Sequence, residues 1–497
     1  MGTGIQSFYQ VERRLVMSTD FLIKKEDIFM KKIKSIFALL LCMAFVMTAF
    51  AACAKDASEP TDSTTTTEPT KAAVTNEEEQ TPTESATKEP VTLRIWAHWG
   101  SEQRRPTIEK IIKAFNDKYA DQGISAEYVY VPFGDIETKM IASVTAGNPA
   151  NVVVSAIEDT NSKAMRNQAT NISEYLSDGI DSKFYEKYWE MVKWEDGVYA
   201  IPFNTDTRLV FYNKKMFAEA GLDAANIKTW DDMINASKTL DAKFKGTGDY
   251  MLAFNPVLGN FGFDTVAYTN GGGVWDDNFN PNVPMMNRPE NIEALEHMKV
   301  FADMYGMELT QAAMAANASG AQDLFLSGKV AMIGNVCNYI ATIEMYNAEA
   351  KVDYGVFPYP AGPSNKTGKP AASGGGFVCT VPFGAPNPQE SVLLAEFMST
   401  EGAKIWAQEQ KDVMCCIEAN ENPAMASSVG WTETLAMMEN TIGTRRHIYA
   451  PNAAQFKDEA VNAIVRDYTA TDVTQVLNDA QAKIEAKIEE EKFIFGE

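Results

Sequence analysis

Histidine is almost absent from this chain of 497 residues, which has only His98, His297 and His447. So few imidazoles leave no material for a histidine-built metal centre. Cysteine is scarce in residues 91–497, where Cys337, Cys379, Cys415 and Cys416 match no zinc or redox spacing. They leave two readings open, a disulfide or two, or buried free thiols. Positive charge is short as well: 44 Lys and Arg face 67 Asp and Glu, a net charge of −23, with −20 of it on residues 91–497. Such an acidic surface argues against nucleic acid and against adsorption to anionic lipid. Gly271-Gly272-Gly273 is followed by no Lys-Ser/Thr pair, so it is no phosphate loop, and neither a nucleophile elbow nor a zinc-binding helix occurs. The expectation is a protein with no metal and no cofactor.

A long apolar run occurs once. Ile36 to Ala52 is seventeen residues without charge, broken only by Thr48, and follows Lys31, Lys32 and Lys34. A spanning helix needs roughly 20 apolar residues, whereas a basic patch, a shorter apolar core and small residues fit a secretory signal peptide. Phe50-Ala51-Ala52-Cys53 resembles a bacterial lipobox, with Phe50 where Leu is usual. The resemblance implies cleavage before Cys53 and lipid on that residue, which would anchor the chain to the extracellular face of the cell membrane. Met30 is then read as the start, residues 1–29 as non-native upstream translation and 30–52 as the signal peptide. Residues 53–90, rich in Ser, Thr, Pro and Glu, hold too little apolar surface to offset the entropy of ordering and read as a disordered acidic tether.

Residues 91–497 exceed one compact core and point to two lobes. Val91–Ala97 reads as a strand. Ile108, Ile111, Ile112, Phe115 and Tyr119 then give one apolar helix face. Residues 124–131 alternate as a second strand, 135–146 read as a helix, and Val152-Val153-Val154 as a buried strand; this succession is the α/β pattern. Residues 198–203 and 208–212 form a strand pair or one long bent strand. A helix follows at 214–220, stopped by Gly221. Thr229 reads as an N-cap with Asp231 and Asp232 in the first turn. Further helices are expected at 290–305, 321–328, 388–399, 401–410 and the C-terminal segment. Strands are expected at 251–254 and 329–334, and 354–376 as loop and crossing chain.

In this order the segments resemble the bacterial ABC-importer solute-binding proteins of extracellular family 1, which includes maltose and oligosaccharide binders. Four stretches carry the likeness: Val91 to Tyr119; Glu137 to Val154 with Thr145-Ala146-Gly147-Asn148-Pro149; residues 199–232, from Tyr199-Ala200-Ile201-Pro202 through Phe211-Tyr212-Asn213-Lys214 to Thr229-Trp230-Asp231-Asp232; and Leu324-Phe325 with Ser327 to Met332, continuing through Phe357-Pro358 to Trp406. The resemblance implies an α/β, two-lobed periplasmic-binding-protein-like fold (type II), with a ligand cleft between lobes joined by several crossing segments. Lobe 1 would be 91–203 plus 373–425, and lobe 2 would be 204–372 plus 426–497. It also implies a non-enzymatic and monomeric receptor that closes on a small solute, expected to be a carbohydrate, and presents it to an ABC permease.

A sugar offers hydroxyls at its edge and C–H groups on its faces, which suit carboxylates, amides and aromatic rings. In the loop after the first strand Trp99 and Glu102 are candidates, Trp99 either meeting ligand or packing on the following helix. Trp96 is assigned to the core, and His98 is ambiguous. Glu158 and Asp159 follow the valine strand. Asp206 and Arg208 lie in the crossing segment, where the resemblance implies an acidic sugar contact at Asp206; the alternative is an Asp206–Arg208 ion pair. Asn260, Phe261 and Trp275 are candidates in the second lobe, with Asn335 and Tyr339 where sugar binders of the family often place a tryptophan. Gly375, within Gly374-Gly375-Gly376, is a candidate for close backbone approach, as is the run at 271–273. Trp230, just after an N-cap, is assigned to packing. The competing readings are a binder of a non-sugar solute such as a polyamine, a phosphorylated compound or a metal chelate; a secreted glycan hydrolase, which needs a carboxylate pair; and a signalling lipoprotein.

Overall fold

The computed structural model describes residues 89–275, 283–318, 320–423, 425–443 and 448–495, all within the unit Ser85–Glu497. Cys53, the signal segment, the tether up to residue 88 and His447 lie outside the described residues.

The described strands are β1 (Val91–Ala97), β2 (Ile124–Tyr130), β3 (Val152–Ala156), β4 (Lys193–Trp194), β5 (Gly197–Val198), β6 (Ile201–Thr205), β7 (Arg208–Asn213), β8 (Met332–Val336), β9 (Tyr354–Phe357), β10 (Ala372–Gly374), β11 (Gly376–Thr380), β12 (Val413–Met414) and β13 (Thr441–Gly443). Six of them form one sheet in the order β12-β6-β11-β3-β1-β2. β1 runs parallel to β2, from Val91↔Ile124 to Ala97↔Tyr130, and parallel to β3. β11 is antiparallel to β3 and β6, and β12 is antiparallel to β6. β3 has neighbours on both sides and is buried at every position, as its run of valines requires. The helix Arg105–Tyr119 buries Ile108, Ile111, Ile112 and Phe115 in the core that includes Leu93 and Ile95 of β1.

A second, antiparallel sheet has the order β8-β7-β9. Around it lie two further apolar clusters, which include Phe254, Phe301 and Tyr359 in one and Phe211, Phe325 and Tyr339 in the other. The helix Trp230–Phe244 starts with a full capping box. Thr229 Oγ1 accepts from Asp232 N at 3.1 Å, and Asp232 Oδ2 accepts from Thr229 N at 2.9 Å. Asn213 caps the helix Lys214–Glu219 by accepting from Met216 N at 3.1 Å.

Several expectations change. The residues on either side of 206–207 are two strands in different sheets, not one bent strand. A lobe boundary after Phe203 would cut β6, which pairs through Thr205; the chain leaves the first sheet at Asp206–Thr207. The stretch 354–376 holds β9 and β10, and Gly376 opens β11. Residues 321–328 form a short 3-10 turn at Gly320–Gln322 rather than a helix, because Asp323 Oδ1 ties up Phe325 N and Leu326 N. The strand expected at 251–254 reduces to one bridge, Leu252↔Val330. All four cysteines described are buried free thiols.

Candidate functional site

Two crossings define the site. The chain passes from the first sheet to the second between β6 and β7, and re-enters the first at β11 directly from β10, which pairs with β13 in a separate two-stranded sheet. Asp206 Oδ1 in the first crossing accepts from Gly375 N in the second at 2.8 Å and from Arg208 Nη1. Arg208 Nη1 also donates to Ser373 O at 3.0 Å, and Thr205 Oγ1 donates to Gly375 O at 3.1 Å. The close approach needs glycine beside Gly375 rather than at it. A Cβ at Gly376, with φ of 141°, would lie 2.2 Å from Asn204 O, and one at Gly374 would lie 2.3 Å from Thr441 Cγ2. At Gly375 the nearest atoms are the Asp206 carboxylate oxygens, 3.9 Å away.

A cavity of about 290 Å³ opens at this junction. Its lining includes Glu158, Asp206, Arg208, Asn260 and Gly375, five residues expected from sequence. Phe133 and Ala156 also line it; with Glu158 they lie at or just beyond the carboxyl ends of the parallel strands β2 and β3, where open α/β sheets hold ligands. Asp264, Ser373 and Phe377 complete the polar and aromatic lining. Phe133 is 60% exposed and meets the His98 ring edge-on at 5.0 Å, while His98 lies 4.4 Å from Phe377. Burial, and secondarily Arg104, hold the His98 imidazole down to about 4, so it is neutral at physiological pH. Asp264 pairs with Lys457. The cavity therefore combines three carboxylates, one guanidinium, an amide and two phenyl rings.

Larger hollows lie beside Arg288 and Ser364, about 430 Å³, and beside Tyr185 and Leu435, about 490 Å³. Neither is lined by residues that follow the parallel strands, and volume alone does not identify a binding site.

The remaining candidates lie elsewhere. Trp99 is 1% exposed, 4.1 Å from the Trp406 ring and 5.1 Å from Phe203; it is core, because its loop folds the indole inward. Glu102 is exposed and does not line the cavity. Asp159 is buried 3.9 Å from Lys163 Nζ. Phe261 is buried against Tyr359 and occupies the space over Gly334, where a Cβ would clash at 2.4 Å. Trp275 bridges to Pro284 and packs partly buried on the second sheet's core. Asn335 turns its Oδ1 back to Val336 N at 2.9 Å. Tyr339 is buried with its hydroxyl donating to Asp323, too deep to replace a stacking tryptophan. The glycines at 271–273 wrap an internal anchor, since Asn291 Oδ1 accepts from Gly273 N at 2.8 Å. Trp230 packs as expected: Nε1 donates to Pro360 O at 3.1 Å, and the ring stacks on His297 at 4.2 Å.

Sequence reasoning missed Phe133, Ala156, Asp264, Ser373 and Phe377. The available signal for Phe133 was its place just beyond the second parallel strand, equivalent to the loops that supplied Trp99 and Glu158.

The model of the bacterial extracellular solute-binding proteins matches residues 99–405, more than half of the chain. The chain belongs to that family. It is thereby a solute-binding protein. It is 26% identical over 292 residues to an uncharacterised ABC transporter extracellular-binding protein of Pyrococcus horikoshii, covering 57% of this chain and 64% of the relative. It is 23% identical over 265 residues to the maltotriose-binding protein of Pyrococcus abyssi, covering 53% of each. The chain thus spans between half and two thirds of the length of these relatives. Its fold matches the mannotriose-bound structure of CpMnBP1 with a TM-score of 0.68 and 23% identity, covering 80% of this chain and all of that one. The architecture is therefore the α/β periplasmic-binding-protein fold.

Proposed function

We propose that this solute-binding protein captures a small carbohydrate in the cavity at Asp206, Arg208 and Gly375 and delivers it to an ABC permease. One observation carries the reading: the cavity sets carboxylates, a guanidinium and an amide beside the rings of Phe133 and Phe377. Charged partners suit hydroxyl edges, with hydrogen bonds of roughly 1.5–3 kcal/mol each, and the rings suit C–H faces. The maltotriose named for the Pyrococcus abyssi relative and the mannotriose in the matching structure support an oligosaccharide. Lobes built on the two sheets would close over the solute by motion at the crossings 206–207 and 375. The receptor works as a monomer at the extracellular face, tethered by lipid on Cys53.

A thermal-shift screen tests this with maltotriose, mannotriose, sn-glycerol 3-phosphate and spermidine. A ligand at 100 times its Kd stabilises by about 2.7 kcal/mol. A shift with a saccharide alone is the expected result. A shift with spermidine alone, which the three carboxylates would favour, refutes the carbohydrate assignment. Cys53→Ser should release the protein from membranes with saccharide binding unchanged; a membrane-bound variant refutes the anchor.

A further inference from the structure

Behind the cavity wall, between the helix Ala403–Gln410 and β12, lies Asp412, which is 1% exposed. Its Oδ2 accepts from Asn204 Nδ2 at 2.7 Å and from Trp406 Nε1 at 3.0 Å. Its Oδ1, equally buried, has no hydrogen-bond partner among the described residues. Asn204 in β6 passes the constraint forward, because its Oδ1 accepts from Phe377 N at 3.0 Å. Phe377 lines the cavity, and the β6–β11 register shifts between Phe377 and Val378. The Phe377 amide is therefore held by a side chain at an irregular point of the ladder. Asn204, Thr205 and Asp206 together hold the wall Gly375–Phe377 through hydrogen bonds, and Asp412 orients the first of these three.

We propose that Asp412 is a positioning residue for the solute site, fixing the Gly375–Phe377 wall through the amide of Asn204. The inference rests on the proposed assignment of this cavity to the solute.

The arrangement has a pH signature. Burial is the largest influence on the Asp412 carboxyl and pushes it up to about 6, reinforced by Asp206 and opposed by Arg104, Trp406 and Asn204. The other titratable groups facing it are the thiols of Cys337 and Cys415, both raised by burial and neutral at physiological pH. Above pH 6 the carboxylate is a charge-assisted acceptor for Asn204; below it, the protonated acid is a weaker one. Solute affinity therefore falls as the pH falls through 6. Stability moves the opposite way. A carboxyl raised from 3.8 to about 6 contributes stability that is fully present below 3.8 and lost as the pH rises through 6. A purely structural role for Asp412 would not set affinity against stability.

The test uses the full chain labelled with 15N tryptophan and phenylalanine. The Trp406 indole and Phe377 amide signals are followed from pH 5 to 8 in the wild type, Asp412→Asn and Asn204→Ala, with maltotriose affinity measured by calorimetry over the same range. In the wild type both signals titrate with a common midpoint near pH 6, and affinity falls about fivefold or more between pH 7.5 and 5, the low end of coupling between linked sites. In Asp412→Asn both titrations and the affinity slope disappear. In Asn204→Ala the indole still titrates while the affinity slope is lost. A Phe377 amide indifferent to pH, or a wild-type slope in Asp412→Asn, overturns the proposal. Should maltotriose not bind, the saccharide assignment loses its support, while the indole and amide titrations alone decide whether Asp412 governs the wall.

Discussion

Replacing Asp206 by alanine removes the carboxylate that joins the two crossings. Two bonds go, from Gly375 N at 2.8 Å and from Arg208 Nη1, and the guanidinium keeps Ser373 O as its hydrogen-bond acceptor. Breaking a fully buried pair from one side costs about 3–5 kcal/mol. Here the side chains are 21% and 13% exposed, so water recovers part of the loss. The expected cost is about 2–4 kcal/mol in equilibrium denaturation with urea. Asp206→Asn keeps an oxygen for Gly375 N and loses the charge, and should cost about 1 kcal/mol. Saccharide affinity should fall in both variants, more in alanine, since Asp206 lines the cavity. Stability of the alanine variant within 0.5 kcal/mol of wild type, or equal losses in the two variants, would refute the view that this carboxylate ties the crossings together.

Phe133→Ala should lower saccharide affinity at least fivefold in calorimetry while leaving Tm within about a degree, because a ring that is 60% exposed contributes little burial. Asp323→Ala removes the acceptor for Phe325 N, Leu326 N and the Tyr339 hydroxyl and should cost about 2–4 kcal/mol on denaturation, with affinity unchanged. His297, buried and stacked on Trp230, is held down to about 3 by burial, so its contribution to stability is present above pH 6.5 and is lost as the pH falls towards 3. His297→Gln should remove about 2 kcal/mol of the stability loss between pH 6.5 and 5; acid melting curves of the two proteins check this.

The parts of the fold legible in the sequence were those set by local chemistry. The stripe Ile108, Ile111, Ile112 and Phe115 could face only a core. Thr229 with Asp232 could hardly be other than a helix start. The lining of the candidate cavity was legible where residues crowd one crossing, as at Asp206 and Arg208, and where a short loop follows a buried strand, as at Glu158. Aromatic residues defeated the same reasoning. Trp99 and Phe133 both follow parallel strands, yet one lies in the core beside Trp406 and the other stands exposed at the cavity.

The sequence by itself determined the α/β succession of elements, the acidic surface, the family and the crossing segment that carries the charged pair. Only the tertiary structure decided which rings and carboxylates reach the cavity, and that Asp412 stands behind its wall. The reason is geometric. Periodicity tells which face of a helix or strand is buried, because each residue's direction follows from its neighbours. A loop side chain takes its direction from what packs on it, and for Trp99 those partners, Phe203 and Trp406, lie far along the chain; in the strands, a side chain such as Asn204 or Phe377 finds its partner only once distant segments are paired.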